Sequence, residues 1–256
     1  MTNPILDAPR KNYIHWLDDA ALDYPVYRIM SFEWLKKIYR DSTNCLVRPI
    51  KWDDPFENIL FSAIGLEKDG RQTEFGFRND FYVQCWTDAD ESDAMWRIYS
   101  PAKSGARIRC TPRKLLNSFY QTQDIFRNIS CFIGKVVYLE QTEIVGLLND
   151  VDFVKTSAFD ATGLHQCRTL LFKRKAFTHE SEVRLLYQRP KTDHTAGDYF
   201  IYPITPLTLF DEIVLDPRLT DAQESIATDE LRNLGVSCPV FQSDLYKIPK
   251  LYARLN

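Results

Sequence analysis

The chain of 256 residues carries 45% hydrophobic and 13% aromatic side chains with only 9 glycines, which excludes a disordered or fibrous chain and suits a folded domain with a sizeable core. A net charge of −3 and an isoelectric point near 5.9 exclude a protein whose whole surface is a basic nucleic-acid footprint. Cys45, Cys85, Cys110, Cys131, Cys167 and Cys238 are scattered without a C-x-x-C pair, no signal-peptide pattern opens the chain and no apolar run reaches bilayer length; a reduced, cytoplasmic protein without a zinc site or a membrane partner is expected.

Residues 1–25 are polar with a few aromatics, among them Tyr13, His15 and Trp16, and read as an N-terminal arm; residues 26–256 read as a single domain. Val26–Met30 predicts a short strand, Ser31 caps a helix to about Tyr39, and Asn44–Pro49 is again extended. In Lys51–Asn58, Asp54, Pro55 and Glu57 have the spacing of a capping box that opens a helix. The stretch from Glu67 to Asn79 reads as a loop, and Phe81–Thr87 as a strong strand.

Ser92 or Asp93 then caps a short helix, Ala94–Tyr99, followed by a strand at Ala106–Cys110 and a helix capped by Thr111 with Pro112 at its first position. Ile129–Leu139 reads as one central strand, with helices expected at 143–149 and 163–172 and an ambiguous segment at 151–162. Lys173-Arg174-Lys175 would complement the dipole at the end of the second of these helices. A polar turn from Pro190 to Asp198 precedes strands at Tyr199–Tyr202 and Ile213–Leu215, a helix opened by a Thr220/Gln223 capping box, and a last strand where Pro239 argues for a sheet edge. Strands outnumber long helices without regular βαβ alternation, so the expected class is α+β, with a central, largely antiparallel mixed sheet flanked by helices.

The stretch Thr178–Tyr187 organises this reading. As a strand it would place Glu180, Glu182 and Arg184 on one side and Val183, Leu185 and Tyr187 on the other. Charges on a largely apolar strand require partners, which are either protein or ligand.

The ordered set Tyr27-Arg28-Ile29, Trp52-Asp53-Asp54-Pro55-Phe56-Glu57, Val83–Thr87, Ala94-Met95-Trp96-Arg97-Ile98-Tyr99, Gly105–Ile108, Val136-Val137-Tyr138 and Glu180-Ser181-Glu182-Val183-Arg184-Leu185 resembles the bacterial domain-of-unknown-function family 2971. That family is similar in outline to abortive-infection and toxin-like proteins, which implies a role in bacterial defence. An early aromatic-arginine strand with a late E-x-E strand also resembles the ADP-ribosyltransferase fold, in which the early residue holds NAD and the late Glu contacts the ribose. The resemblance implies that Arg28 takes the early position and Glu182 the late one, with Glu180 the first residue of E-x-E; the middle position is open between Tyr82, Thr87 and Tyr99.

The implied substrate is NAD or a similar nucleotide, used by an ADP-ribosyltransferase or NAD glycohydrolase, with nucleic acid entering only as a modified target. Cleavage of the nicotinamide-ribose bond develops positive charge at the anomeric carbon, which Glu182 would stabilise as a carboxylate does in glycoside hydrolysis. Arg28 suits bidentate phosphate contact, Tyr27, Trp86, Trp96 and Tyr99 offer rings for stacking, and Arg184 shares the polar side of the strand. Three other readings stay open. Glu182 and Arg184, with Arg28 or Arg107, would form an ion-pair network that pins the sheet; Asp53, Asp54, Glu57 and Glu182 would gather magnesium in a nuclease or phosphodiesterase; or the polar face would hold a ligand without turnover. His165, His179 and His194 have no metal-ligand spacing, and core packing is the competing role for Met95, Trp96 and Tyr99.

Overall fold

A computed structural model describes residues 7–16, 18–77, 79–189 and 197–254; His194 and most of the polar turn expected from Pro190 to Asp198 lie outside the described residues. From the amino terminus come β1 (Tyr13–Ile14), β2 (Val26–Ser31), α1 (Phe32–Asp41), β3 (Thr43–Val47), α2 (Ile59–Ser62), β4 (Ile64–Leu66), β5 (Gln72–Glu74), β6 (Phe81–Thr87), α3 (Asp93–Tyr99), β7 (Gly105–Cys110) and α4 (Pro112–Tyr120). Then follow α5 (Arg127–Ser130), β8 (Cys131–Lys135), β9 (Val137–Leu139), α6 (Gln141–Asn149), α7 (Val151–Phe159), α8 (Leu164–Thr169) and β10 (Phe172–Arg174). The last elements are β11 (Glu182–Gln188), β12 (Tyr199–Pro203), α9 (Pro206–Leu209), β13 (Glu212–Leu215), α10 (Asp221–Asn233) and β14 (Val240–Gln242). The class is α+β, with mixed but mainly antiparallel pairing. Two compact units form, one from Met1–Val26, Thr43–Ala89 and Thr111–Thr205, the other from Tyr27–Ser42, Asp90–Cys110 and Pro206–Asn256.

In the large sheet of the first unit the strands run in the order β1, β8, β11, β6, β3, β12; among these described pairs β1–β8 is parallel and the rest are antiparallel. Alternation along β11 divides its side chains between two packed faces. Tyr187 meets the rings of Phe119 and Phe200, and Phe119 also meets Tyr202, giving an aromatic layer on one face. On the other, Leu186 packs in a cluster with Phe61, Phe81, Phe132 and Leu171. Fully burying side chains of this size contributes roughly 1.5–3 kcal/mol each.

The predicted strand at Ile129–Leu139 is divided. α5 occupies its start, β8 stops at Lys135, the Val136 N–H donates to the Glu182 carbonyl, and β9 pairs in parallel with β10. The cause lies in the partner: β11 begins only at Glu182, so β8 has no neighbour to follow beyond that point. The loop expected at Glu67–Asn79 contains the second strand of a small β4–β5 hairpin, and α7 fills the ambiguous segment after Val151.

In the second unit β2 neighbours β7, β7 pairs antiparallel with β13, and β13 pairs in parallel with β14, which sits at the edge as Pro239 suggested. Its helices begin where their caps predict: Ser31 Oγ accepts from the Trp34 N–H, Ser92 Oγ from the Met95 N–H, and Thr220 and Gln223 form a reciprocal box. The fully buried Asp216 carboxylate accepts from Ser100 Oγ at 2.5 Å and from Arg218 Nε at 2.8 Å, so this charge is paired inside the unit.

Gly163 caps α8 in the left-handed region, at φ 72°, where a Cβ would lie 2.6 Å from the Ile129 carbonyl oxygen and 2.1 Å from Gln188 Oε1. Backbone strain and steric overlap both oppose a side chain there. Gly163→Ala is expected to cost about 2 kcal/mol or more in urea unfolding; an unchanged midpoint would show that α8 does not start this way.

Candidate functional site

The first unit gathers its charged side chains at the start of β11. The chain from Lys175 to Glu180 is a 3-10 helix, and Ser181 adopts φ 39° before the strand opens at Glu182. The extended reading of Thr178–Tyr187 is therefore corrected at its beginning: Glu180 is not on the strand. The Ser181 N–H donates to the Thr178 carbonyl and its hydroxyl to Asp88, which fixes the break. Glu180 still comes beside Glu182, because both carboxylates meet the ammonium of Lys173, at 2.5 and 3.2 Å.

Arg184 binds Glu182 bidentately, Nε to Oε1 at 3.0 Å and Nη2 to Oε2 at 2.7 Å, a planar fork suited to a carboxylate. Its Nη1 donates to the Leu170 carbonyl at 2.6 Å and its Nη2 to Glu57. Lys173 also reaches Glu57, at 3.1 Å, and the indole of Trp52 covers the guanidinium at 4.2 Å. Glu182 is 5% exposed and Arg184 has no exposure at all, so these charges are sealed together.

Two local readings of the sequence change as a result. Asp54, Pro55 and Glu57 do not open a helix: Asp54 Oδ1 accepts the Phe56 N–H at 3.0 Å in a turn, and α2 starts only at Ile59. The turn frees Glu57 for the buried cluster and turns Asp54 to Arg174, 3.0 Å away, whose guanidinium lies over the Phe56 ring. Lys173 and Arg174 do not complement a helix dipole either, since α8 ends at Thr169 and both belong to β10. Lys173 as the second cation of the cluster is the residue that sequence reasoning missed, and Glu57, which the magnesium reading gathers with Glu182, comes there as an ion partner of Arg184 and Lys173. The available signal was charge balance, since two carboxylates on the polar side of the expected strand exceeded its one cation.

The electrostatics follow from three carboxylates sharing two cations. Burial pushes the Glu182 carboxyl up, but Arg184 and then Lys173 outweigh it and hold it at about 2. Glu57 is the surplus acid, and burial raises it despite Arg184 and Lys173. Burial pulls the Lys173 ammonium down, yet Glu182, Glu180 and Glu57 more than offset it and leave it raised. Cys85, directly opposite Arg184 in the β6–β11 register, has its thiol pushed well up by burial and then by Glu182, so it stays protonated and is no nucleophile. The Glu182 N–H donates to the Tyr138 hydroxyl at 2.8 Å. Each acidic member faces a cation, and no group of three or more His, Cys, Asp or Glu side chains able to hold a metal occurs among the described residues; Asp53, the remaining acid of the magnesium reading, is exposed.

The other expected site residues fall in different surroundings. Trp86 is buried in the first unit and donates from Nε1 to Gln84 Oε1 at 2.8 Å. In the second unit, Tyr27 and Arg28 are half-buried on β2, Trp96 is fully buried on α3 with Nε1 donating to Glu91 Oε1, and Tyr99 is exposed. Tyr27 is joined there by Arg107, which the sequence placed only in a sheet-pinning network.

The class is thus an α+β protein whose polar strand carries a closed ion cluster. A family model described as a protein of unknown function (DUF2971) matches residues 95–185, a span that includes Trp96, Arg107, Glu180, Glu182 and Arg184 and agrees with the motif resemblance. No curated protein matches the chain. Among solved structures it is similar to the Thermus sp. 2.9 DarT in complex with NAD+, at 13% identity and a TM-score of 0.39 over 86% of this chain and 96% of that one. The same DarT in complex with ADP-ribosylated ssDNA matches at 12% identity and a TM-score of 0.40, over 86% of this chain and 94% of that one. These are distant likenesses.

Removing one member of a buried ion network leaves the others unpaired. Arg184→Met is expected to lower stability by about 3–5 kcal/mol in urea titrations at neutral pH. Glu182 is held at about 2, below its ordinary 4.5, so the stability it contributes is fully present above pH 4.5 and is lost as pH falls toward 2. Glu57, with its pKa raised, contributes in the opposite sense, favouring the fold below pH 4.5 and losing that effect as pH rises through its folded value. The acid limb of stability should therefore flatten in Arg184→Met, and a limb as steep as in the wild type would contradict the assignment to Glu182.

Proposed function

We propose that this chain is an ADP-ribosyltransferase-like protein that uses NAD, with Glu182 as the carboxylate facing the positive charge that develops at the anomeric carbon as nicotinamide leaves. The observation that carries this reading is the meeting of two distant motifs in one place. The Trp52, Asp54 and Glu57 stretch closes over Glu180, Glu182 and Arg184, and the carboxylate at the centre is ionised at every physiological pH. Ribosyl transfer needs such a group on a rigid strand, where its field acts without reorganisation. Glu182 is 5% exposed, so its use on a dinucleotide requires Lys173 or Trp52 to give way as ligand enters. Glu180 belongs to the proposed catalytic pair through the shared Lys173, and Arg184 orients Glu182 from behind. A macromolecular acceptor, with nucleic acid as one target, and a cytoplasmic role in bacterial defence or toxin-type conflict belong to the same proposal.

A second reading is favoured by the closure itself. With Arg184 at zero exposure and its fork filled, the cluster works equally as a clamp that fixes the start of β11, in a module that holds a ligand without turnover.

The two readings separate on purified protein given NAD labelled in the adenylate part, followed for nicotinamide release and for label transfer to added single-stranded DNA or protein. Release by the wild type is expected to fall about 100-fold or more in Glu182→Gln, and by much less in Glu57→Gln, which disturbs the same cluster without removing the central carboxylate. Equal losses in the two variants, or no release by the wild type, would leave the clamp reading standing.

A further inference from the structure

In the second unit β2 and β7 bring Tyr27 and Arg107 together, with the guanidinium carbon 3.8 Å from the Tyr27 ring centroid. Arg107 is only 9% exposed, yet it is poorly paired. Its ion partner among the described residues is Glu91, 3.7 Å from Nη1, beyond hydrogen-bond range. The other oxygen of Glu91 accepts from Trp96 Nε1 at 2.5 Å, which ties that carboxylate to α3. The Arg107 Nε–H is buried and has no hydrogen-bond partner among the described residues.

A guanidinium is charged at all pH values and carries five donors, so a buried N–H with nothing to donate to is costly and rare in folded proteins. The contrast within the same unit is Arg218, whose Nε and Nη2 both bond to the Asp216 carboxylate. Stacking on Tyr27 fixes the plane of the Arg107 fork, and Nε with its neighbouring Nη forms a flat donor edge that fits two oxygens of one oxyanion. Tyr27 is half-buried and keeps part of its surface for an aromatic ligand.

We infer that Arg107, held flat against Tyr27, is an anion-binding residue that takes a phosphate oxyanion of a nucleotide through Nε and Nη. The choice of a nucleotide phosphate over a carboxylate rests on the NAD reading above; the unmet donor edge does not. Glu91 positions the fork without filling it.

The test is calorimetric titration of the full chain with pyrophosphate, ADP and malonate, with Arg107→Gln, Arg107→Met and Tyr27→Leu variants. Pyrophosphate and ADP are expected to bind the wild type more tightly than malonate, and Arg107→Gln to weaken both by tenfold or more, with a smaller loss in Tyr27→Leu. Without ligand, Arg107→Met is expected to unfold at the same or a higher urea concentration, since an unmet buried donor has been removed. A lower midpoint would mark Arg107 as a structural pair and overturn the inference. So would a wild type that binds neither phosphate probe, an Arg107→Gln variant that binds them equally well, or a preference for malonate. If ADP binding depends on Arg107 while NAD is not cleaved, the catalytic reading of Glu182 fails and the anion site stands.

Discussion

Three buried carboxylates compete for two cations at the head of β11, and the local course of the chain follows from how that competition is met. Each charge loses its hydration on folding, a cost of several kcal/mol per ion that only close, well-directed contacts can offset. Arg184 meets the requirement with a two-bond fork on Glu182, a third bond to the Leu170 carbonyl and a fourth to Glu57. Lys173 meets it with three carboxylates at once. To bring these groups together the chain leaves the extended conformation at Ser181, β10 carries Lys173 in beside the strand, and the Asp54–Glu57 turn folds over it. The end of β8 follows from the same point, since its neighbour begins only where Glu182 does.

What the sequence made legible was local. Ser31, Ser92, Thr111 and Thr220 cap the helices they were expected to cap, because an N-cap depends on a side chain and a backbone N–H two or three residues away. The alternation of Val183, Leu185 and Tyr187 likewise located β11 from Glu182 on, but the strand is buried on both faces, so its polar side is packed as well. The charged residues were misjudged for the same reason that the caps were not: each was assigned the nearest sufficient partner. Glu57 has capping-box spacing from Asp54 and Lys173 follows a helical pattern, so local partners accounted for both, and only the magnesium reading set Glu57 beside Glu182. Their actual partners are 127 residues away for the Glu57–Arg184 pair and 9 for Lys173–Glu182 across the Ser181 break. Each of the two compact units is assembled from three segments, and no linker composition marks the joins.

A closed ion cluster and an active carboxylate place opposite demands on the same side chain. As a clamp, Glu182 is most effective when fully paired; in the proposed function, facing an oxocarbenium-like transition state, it would exchange a cation of the protein for one on the substrate. Lys173 is the member suited to that exchange, a point charge on a flexible stem, whereas Arg184 is locked by its fork and by Trp52. The surplus negative charge would favour an incoming cation, and burial raises the Glu57 carboxyl. In the second unit the imbalance is reversed: Arg107 is a buried cation with a donor unmet.

The central claim is that Glu57 and Arg184 are energetically coupled, so that the early motif and the late strand act as one structure. A double-mutant cycle in urea unfolding, with Glu57→Gln, Arg184→Met and the pair together, measures this directly. The account predicts a coupling energy of about 1.5 kcal/mol or more, within the range found for residues sharing one ion network. Losses that add to within about 0.5 kcal/mol would show the two sites to be independent and contradict it.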